Sequence, residues 1–492
     1  MPRAGAQRRS LPRDSLRLLL RSTAGGWLLR PWFDAATLRI LTQWYFPLSR
    51  AWAAALAADG SVDHFLVDIP CEGRLFRRML PSILSRTSLR MAALVAADAR
   101  WEEALFTSAP PSAWTVAPAA GLAGIEAARM HAAAKVSNLR ASFVPLHMRA
   151  PLPPIAWAIE SEGSVARRHG ERLAQLEQAF AAHVDPAAVT VSRGFLAGNG
   201  VDRWVRFAAP TTAAAGTAWA RVSSPVKTPM AAARTPSLIY AHGIGMEPEF
   251  TGDGRNPLAM LVGSGVRVIR PEGPWHGRRR LRGFYGGEPV LGRGPGGLLD
   301  YFHAHVIEIG LLVAWARATG GGPVAVGGVS LGALTAQLAA VAACNWPAEM
   351  RPDALFLVAP SHSLAAVTFE GSLTRALGVP AAIRAAGWTS SDIAHWRPLL
   401  DPTSSPAVPP ERIVVLIGMT DDVTLAAGGE TLVRSWALPE ENVFRASAGH
   451  FSTSFGFAHS IAPLRQLLRI LDDVKAQGQM RFAGVRGRKS AL

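Results

Sequence analysis

The chain has 492 residues, of which 49% are hydrophobic, enough for one large core and a second, smaller unit. Its two cysteines, Cys71 and Cys344, lie far apart, which excludes a disulfide framework and fits a reducing compartment. A net charge of +15 invites nucleic acid or an anionic membrane as partner, but arginine is spread along the whole chain without a zinc-ligand spacing or an aromatic RNA-binding signature, so nucleic acid is excluded.

Taken in order, the chain opens on a basic segment whose apolar stretch from Leu11 to Leu20 is broken by Arg13, Asp14 and Arg17, so no secretory signal forms and a cytoplasmic location is expected. Residues 12–58 carry Leu16, Leu19, Leu20, Leu38, Leu41 and Trp44 at helical spacing, with Arg17, Arg21, Arg39 and Arg50 between them. Either a helical layer packed on the main domain or a peripheral membrane contact fits this basic, aromatic pattern, which includes Trp27, Trp32, Tyr45 and Trp52. Residues 85–140 look helical, Pro145–Pro154 is a connector, and a helix is expected over Ser164–His183 with Val165, Leu173, Leu176 and Phe180 on one face. Residues 1–185 thus form a mainly helical region without an assigned role.

From Val189 the apolar period changes to that of strands. Short alternating runs at 189–193, 203–207 and 219–222 precede an alternation of strands (237–242, 266–270, 323–328, 354–359) with helices (near 256–264, then 298–319 and 331–344). Such alternation predicts an α/β fold, a mostly parallel sheet covered by helices on both faces, with a ligand crevice at the carboxyl ends of its strands. The uncharged stretch Ala318–Ala348 is long enough for a membrane span, but seven interrupting Gly and Pro residues between Gly320 and Gly332 argue against one. Residues 361–410 pause the alternation with helical character, either a lid or ordinary covering helices. A helix near Pro463–Val474 closes the domain, set at 186–478, and a basic tail over 479–492 is expected to be disordered.

The chemistry centres on Gly328-Val-Ser330-Leu-Gly332. Chance supplies about 0.3 such five-residue matches in a chain of this composition, so the context decides. Val324, Ala325 and Val326 suit a strand buried on both faces, and Leu331–Ala343 suits a buried helix. Small residues at the junction let the strand reverse while the serine is held exposed. Asp421 follows the strand at 412–420, and His450 follows the strand at 443–447.

In this order of elements the sequence resembles the α/β-hydrolase superfamily over roughly residues 190–475. The resemblance implies Ser330 as nucleophile, His450 as base and Asp421 as the orienting acid in Gly418-Met-Thr-Asp421-Asp-Val, with Asp422 as its adjacent rival. It also implies oxyanion donors at Leu331 and, from the turn His242-Gly-Ile244-Gly, at Ile244, and makes His242 part of that turn rather than a proton carrier. The expected activity is that of a serine esterase, with an acyltransferase or a catalytically silent binding module as alternatives, and it needs no cofactor.

Residues 270–280, Arg-Pro-Glu-Gly-Pro-Trp-His-Gly-Arg-Arg-Arg, follow the next strand and are placed near the mouth of the crevice. His242, Trp275, His276, Arg278 and Arg279 are therefore candidate substrate contacts. Arg278 or Arg279 would receive a substrate anion, against the alternative of a solvated loop or an ion pair with Glu272. His303 and His305 point apart on a helix, so no metal site is expected.

Overall fold

The computed structural model describes residues 23–70, 74–107, 121–181, 185–198, 200–226, 234–247, 258–454 and 460–489. Leu16, Leu19, Leu20, Arg17, Arg21 and Cys71 lie outside the described residues, and Cys344 is free and exposed.

A ten-stranded sheet organises the described chain. Its strands are β1 (Thr190–Val191), β2 (Phe195–Ala197), β3 (Gly200–Ala208), β4 (Thr217–Pro225), β5 (Thr235–Ala241), β6 (Arg267–Pro271), β7 (Gly321–Val329), β8 (Ala354–Val358), β9 (Ile413–Gly418) and β10 (Val443–Ala446). The order is β1-β3-β4-β6-β5-β7-β8-β9-β10, with β2 paired to β3. Pairs from β1 to β6 through β4 are antiparallel, and those from β6 through β5 to β10 are parallel. Because β6 lies on one side of β5 and β7 on the other, the order reverses between β5 and β7, which opens a crevice at their carboxyl ends.

The β-branched runs in these strands are buried on both faces, and their alternation sorts side chains into two cores. Leu238 and Tyr240 of β5, with Val414 and Leu416 of β9, join Leu464, Leu467, Ile470 and Leu471 of the C-terminal helix on one face. Ile239 and Ala241, with Val324 and Val326 of β7, face the other, where the helices Gly294–Gly320 and Leu331–Ala342 pack. Gly294–Gly320 is long and apolar enough to cross a membrane, yet 94% of its apolar window is buried inside the protein.

The N-terminal helices are not held apart from this domain. Trp52, Phe65, Leu84 and Phe143 belong to the same core as the sheet, and Trp101, Phe106 and Leu122 form a third cluster with Phe195 and Trp204 on β2 and β3. The helix expected over Ser164–His183 ends at Ala174, and Leu176 beyond it is 48% exposed, while Val165 and Phe180 are buried as expected. The basic tail also differs from expectation: one helix, Ala462–Lys489, runs through most of it.

Candidate active site

Ser330 sits between β7 and the helix Leu331–Ala342 at φ 54°, ψ −121°, a conformation that strains any residue with a Cβ. Its flanking glycines are sterically required. A Cβ on Gly332 would lie 2.2 Å from the Ala241 carbonyl oxygen, and one on Gly328 would lie 2.4 Å from the Gly332 carbonyl carbon. With methyl groups excluded, strand and helix close to a turn tight enough to lift the hydroxyl to the sheet's rim.

His450 opens the short helix His450–Ser454 after β10, and its Nε2 lies 3.0 Å from Ser330 Oγ. Its Nδ1 lies 2.8 Å from Asp421 Oδ2. Asp421 follows β9 and is held from its own loop: Val423 N–H and Thr424 N–H donate to Oδ1 at 2.9 Å each, and the Thr424 hydroxyl donates to Oδ2 at 2.8 Å. Burial pushes the Asp421 carboxyl up, but the charge of His450 and the bonds from His450 and Thr424 outweigh it and hold the group below the usual carboxylate range. Asp422 turns away and accepts from the Ser372 hydroxyl at 2.9 Å. Geometry thus separates two acids that the sequence left adjacent.

Leu331 and Ile244 flank Ser330 in the wall of one cavity, and a Cβ on Gly243 would stand 3.6 Å from the Ser330 Cβ. As the first helical residue after Ser330, Leu331 has an N–H without a partner inside its helix. The cavity, about 60 Å³, is lined by Val290, Leu298 and Leu334 from the domain and by Leu364, Val367 and Val379 from the helices of the 361–410 segment.

The segment 261–380 matches the family model described as "Alpha/beta hydrolase domain containing 18". The chain carries an α/β-hydrolase domain. Among solved structures, this chain is similar to acetyl xylan esterase 1 from Thermoanaerobacterium sp. JW/SL YS485, at 14% identity, 62% coverage of this chain, 94% of that one and a TM-score of 0.40. It is also similar to the acetyl xylan esterase from Paenibacillus sp. R4 (14%, 61% and 95%, TM-score 0.42) and to an S-formylglutathione hydrolase from Agrobacterium tumefaciens (14%, 57% and 99%, TM-score 0.37). No curated protein matches the chain.

The five residues expected as substrate contacts do not line this cavity. His242 is buried with both ring nitrogens used: Nδ1 donates to Gly243 O at 2.8 Å, and Nε2 accepts from Gly273 N–H at 3.0 Å. Burial pulls its pKa down to about 4, so it stays neutral and structural. His276 is also fully buried, its Nδ1 2.9 Å from Pro274 O, and burial followed by the neighbouring His242 depresses its pKa. Trp275 is buried beneath the Arg293 guanidinium at 5.1 Å. Arg278 pairs with Asp98 at 2.8 Å and lies over the rings of Trp101 and Trp219, while Arg279 pairs with the buried Glu308 at 2.8 Å. The expected anion site is therefore corrected: both guanidiniums are consumed by internal carboxylates and aromatic faces. The ion pair with Glu272 is replaced by a bond from the Arg278 backbone N–H to its Oε2 at 3.0 Å.

Among the described residues no cluster of His, Cys, Asp and Glu is arranged to hold a metal. His305 contacts Glu308 at 3.1 Å, and His303 packs edge-on against His169.

Sequence reasoning missed Thr424, Asp34 and Ser452. Thr424 lies three residues after an aspartate that already caps its own turn, a local signal that could have found it. Asp34 accepts from Phe451 N–H at 2.7 Å, Ser452 N–H at 3.0 Å and the Ser452 hydroxyl. No local pattern joins residues more than 400 positions apart.

Proposed function

We propose that the protein is a serine hydrolase that cleaves an ester or related acyl bond through an acyl-serine intermediate. The observation that carries this reading is the hydrogen-bonded line from Ser330 Oγ to His450 Nε2 at 3.0 Å and from His450 Nδ1 to Asp421 at 2.8 Å. An ionised Asp421 fixes the tautomer in which Nδ1 carries the proton and Nε2 is free to accept one. Ser330 Oγ attacks the acyl carbon as its proton passes to Nε2, and the oxyanion that forms accepts hydrogen bonds from the backbone N–H groups of Leu331 and Ile244. His450 then returns the proton to the leaving group, and a water activated by the same imidazole releases the acid.

The acyl group enters the aliphatic cavity beside Ser330. A cavity of about 60 Å³ is well below the roughly 150 Å³ that holds one benzene ring, which favours a short apolar acyl chain and a neutral substrate end. The five 361–410 helices then act as a lid that shapes the acyl pocket. The test is a panel of p-nitrophenyl esters from acetate to dodecanoate. Hydrolysis should be fastest near butyrate and hexanoate; a rate rising steadily to dodecanoate would contradict the pocket, and no hydrolysis of any ester or thioester would contradict the activity. Product analysis with added alcohols distinguishes a transferase, which would give transferred ester in place of free acid.

Trp32, Ile40 and Trp44 are exposed along one side of the first described helix and its continuation, with Arg39 beside them. This supports a proposal that the protein makes peripheral contact with an anionic bilayer.

A further inference from the structure

The reading of Ser330, Asp421 and His450 leaves the N-terminal helices without a part in the chemistry, although two of their side chains reach the turns that carry it. The first is Asp34, on the helix Thr23–Ile40. Its Oδ1 accepts from two successive backbone amides, Phe451 N–H at 2.7 Å and Ser452 N–H at 3.0 Å, and the Ser452 hydroxyl donates to its other oxygen. These amides lie in the first turn of the helix that begins at His450, where no intrahelical acceptor serves them and a negative charge is favoured. Ser452 Oγ in turn accepts from Gly449 N–H at 2.9 Å, so the carboxylate is tied to both sides of His450. The approach is close enough to dictate the neighbouring residue: a Cβ on Gly449 would lie 2.5 Å from the Asp34 carboxyl carbon. A side chain at position 449 would fit only if the Asp34 carboxylate moved aside.

The second is Tyr45, which ends the π-helical turn Leu41–Tyr45 directly after the Asp34 helix. Its hydroxyl donates to Gly245 O at 3.2 Å. The next residue, Phe46, sits where a Cβ on Gly245 would meet its ring at 3.3 Å, and Gly245 itself has φ +69°. Gly245 adjoins Ile244, beside Ser330 in the cavity wall. One continuous helical element thus grips the loop that presents the imidazole and the turn that presents the second oxyanion donor. A π-helical turn between the two contacts adjusts their relative phase.

We infer that the segment Asp34–Tyr45 is a positioning element of the active site, with Asp34 fixing the backbone that aims His450 and Tyr45 fixing the turn that aims Ile244. Neither residue touches the substrate. This rests on the serine-hydrolase reading, so the experiment begins with the full chain hydrolysing p-nitrophenyl butyrate and with the Ser330→Ala variant as blank. Asp34→Ala should lower kcat about 10- to 100-fold with KM within about threefold, because loss of aim by a fraction of an ångström slows chemistry more than binding. Asp34→Asn keeps an oxygen facing both amides and should recover much of that loss. Tyr45→Phe should lower kcat about 3- to 10-fold by the same logic. Ser61→Ala, which removes an N-cap from the helix Val62–Asp68, controls for stability: it should lower Tm without changing kcat. Wild-type kcat in Asp34→Ala and Tyr45→Phe overturns the inference while leaving the hydrolase reading intact. So does a kcat that falls equally in Ser61→Ala. If Asp34→Ala does not fold, Tyr45→Phe decides. A wild type that neither hydrolyses esters nor reacts with a fluorophosphonate ends the hydrolase reading and this inference with it.

Discussion

Ser330 holds a backbone conformation that costs a non-glycine residue about 1–3 kcal/mol, and its two glycine neighbours make that conformation attainable. Gly332→Ala places a methyl 2.2 Å from the Ala241 carbonyl oxygen and should destabilise the protein by about 2–4 kcal/mol, read as a lower denaturant midpoint. An unchanged midpoint would mean that the turn is looser than described. If Ser330 and His450 act as a unit, each alanine variant should lose about 10⁴- to 10⁶-fold in kcat and the double variant little more; additive losses would show that they act separately. Asp421→Asn should cost about 10³- to 10⁴-fold and Asp422→Asn only a few-fold, because Asp422 pairs with Ser372. At this scale the sequence singled out the three candidate residues because each lies within a few residues of a strand end and carries a short local pattern. Arg278 and Arg279 were misread because a run of arginines does not reveal its partners. Theirs are Asp98 and Trp101 on one helix, Trp219 on β4 and Glu308 on the helix Gly294–Gly320, three separate stretches of chain.

The 361–410 segment supplies Leu364, Val367 and Val379 to the wall of the cavity beside Ser330. The sequence marked it as a helical interruption, with helical character over Leu373–Leu377 and Ala381–Trp396. The expected helix 381–396 breaks at Gly387, with φ +86°, and restarts at a Thr389–Asp392 capping box. Its Val367, on the helix Leu364–Glu370, faces the cavity beside Ser330. Val367→Ala should lengthen that space and raise the ratio of octanoate to butyrate hydrolysis, in kcat/KM, by about 3- to 10-fold. An unchanged ratio would place the acyl chain elsewhere. The sheet was legible from its βα alternation, whereas the reversal between β5 and β7 was not, since strand order depends on which faces the helices cover rather than on any one strand.

Across the whole molecule, part of the arginine complement belongs to internal construction. Arg129, Arg140, Arg221, Arg267 and Arg279 are all buried or nearly so among carboxylates, carbonyls and aromatic rings. The same burial makes stability depend on acid. Burial, followed by the nearby Arg172, pulls the pKa of His303 down to about 3. Its folded value lies below its unfolded one of about 6.5, so the unfolded chain binds the proton first. The stabilisation is complete above pH 6.5 and falls by about 1.4 kcal/mol per unit as pH drops toward 3. His303→Phe should therefore lose less unfolding free energy than the wild type between pH 7.5 and pH 5; equal losses would contradict the assignment. Flotation with phosphatidylserine vesicles tests the outer face of the first helix: the wild type should float and Trp32→Ala/Trp44→Ala should not, and equal behaviour would remove the membrane proposal.

The most direct test of the central claim is covalent. A fluorophosphonate probe incubated with the folded full chain and mapped by peptide mass spectrometry should give one adduct, on Ser330, absent in Ser330→Ala and formed far more slowly in His450→Ala. A folded protein that acquires no adduct, or acquires it on another residue at the same rate in all three forms, would contradict the account.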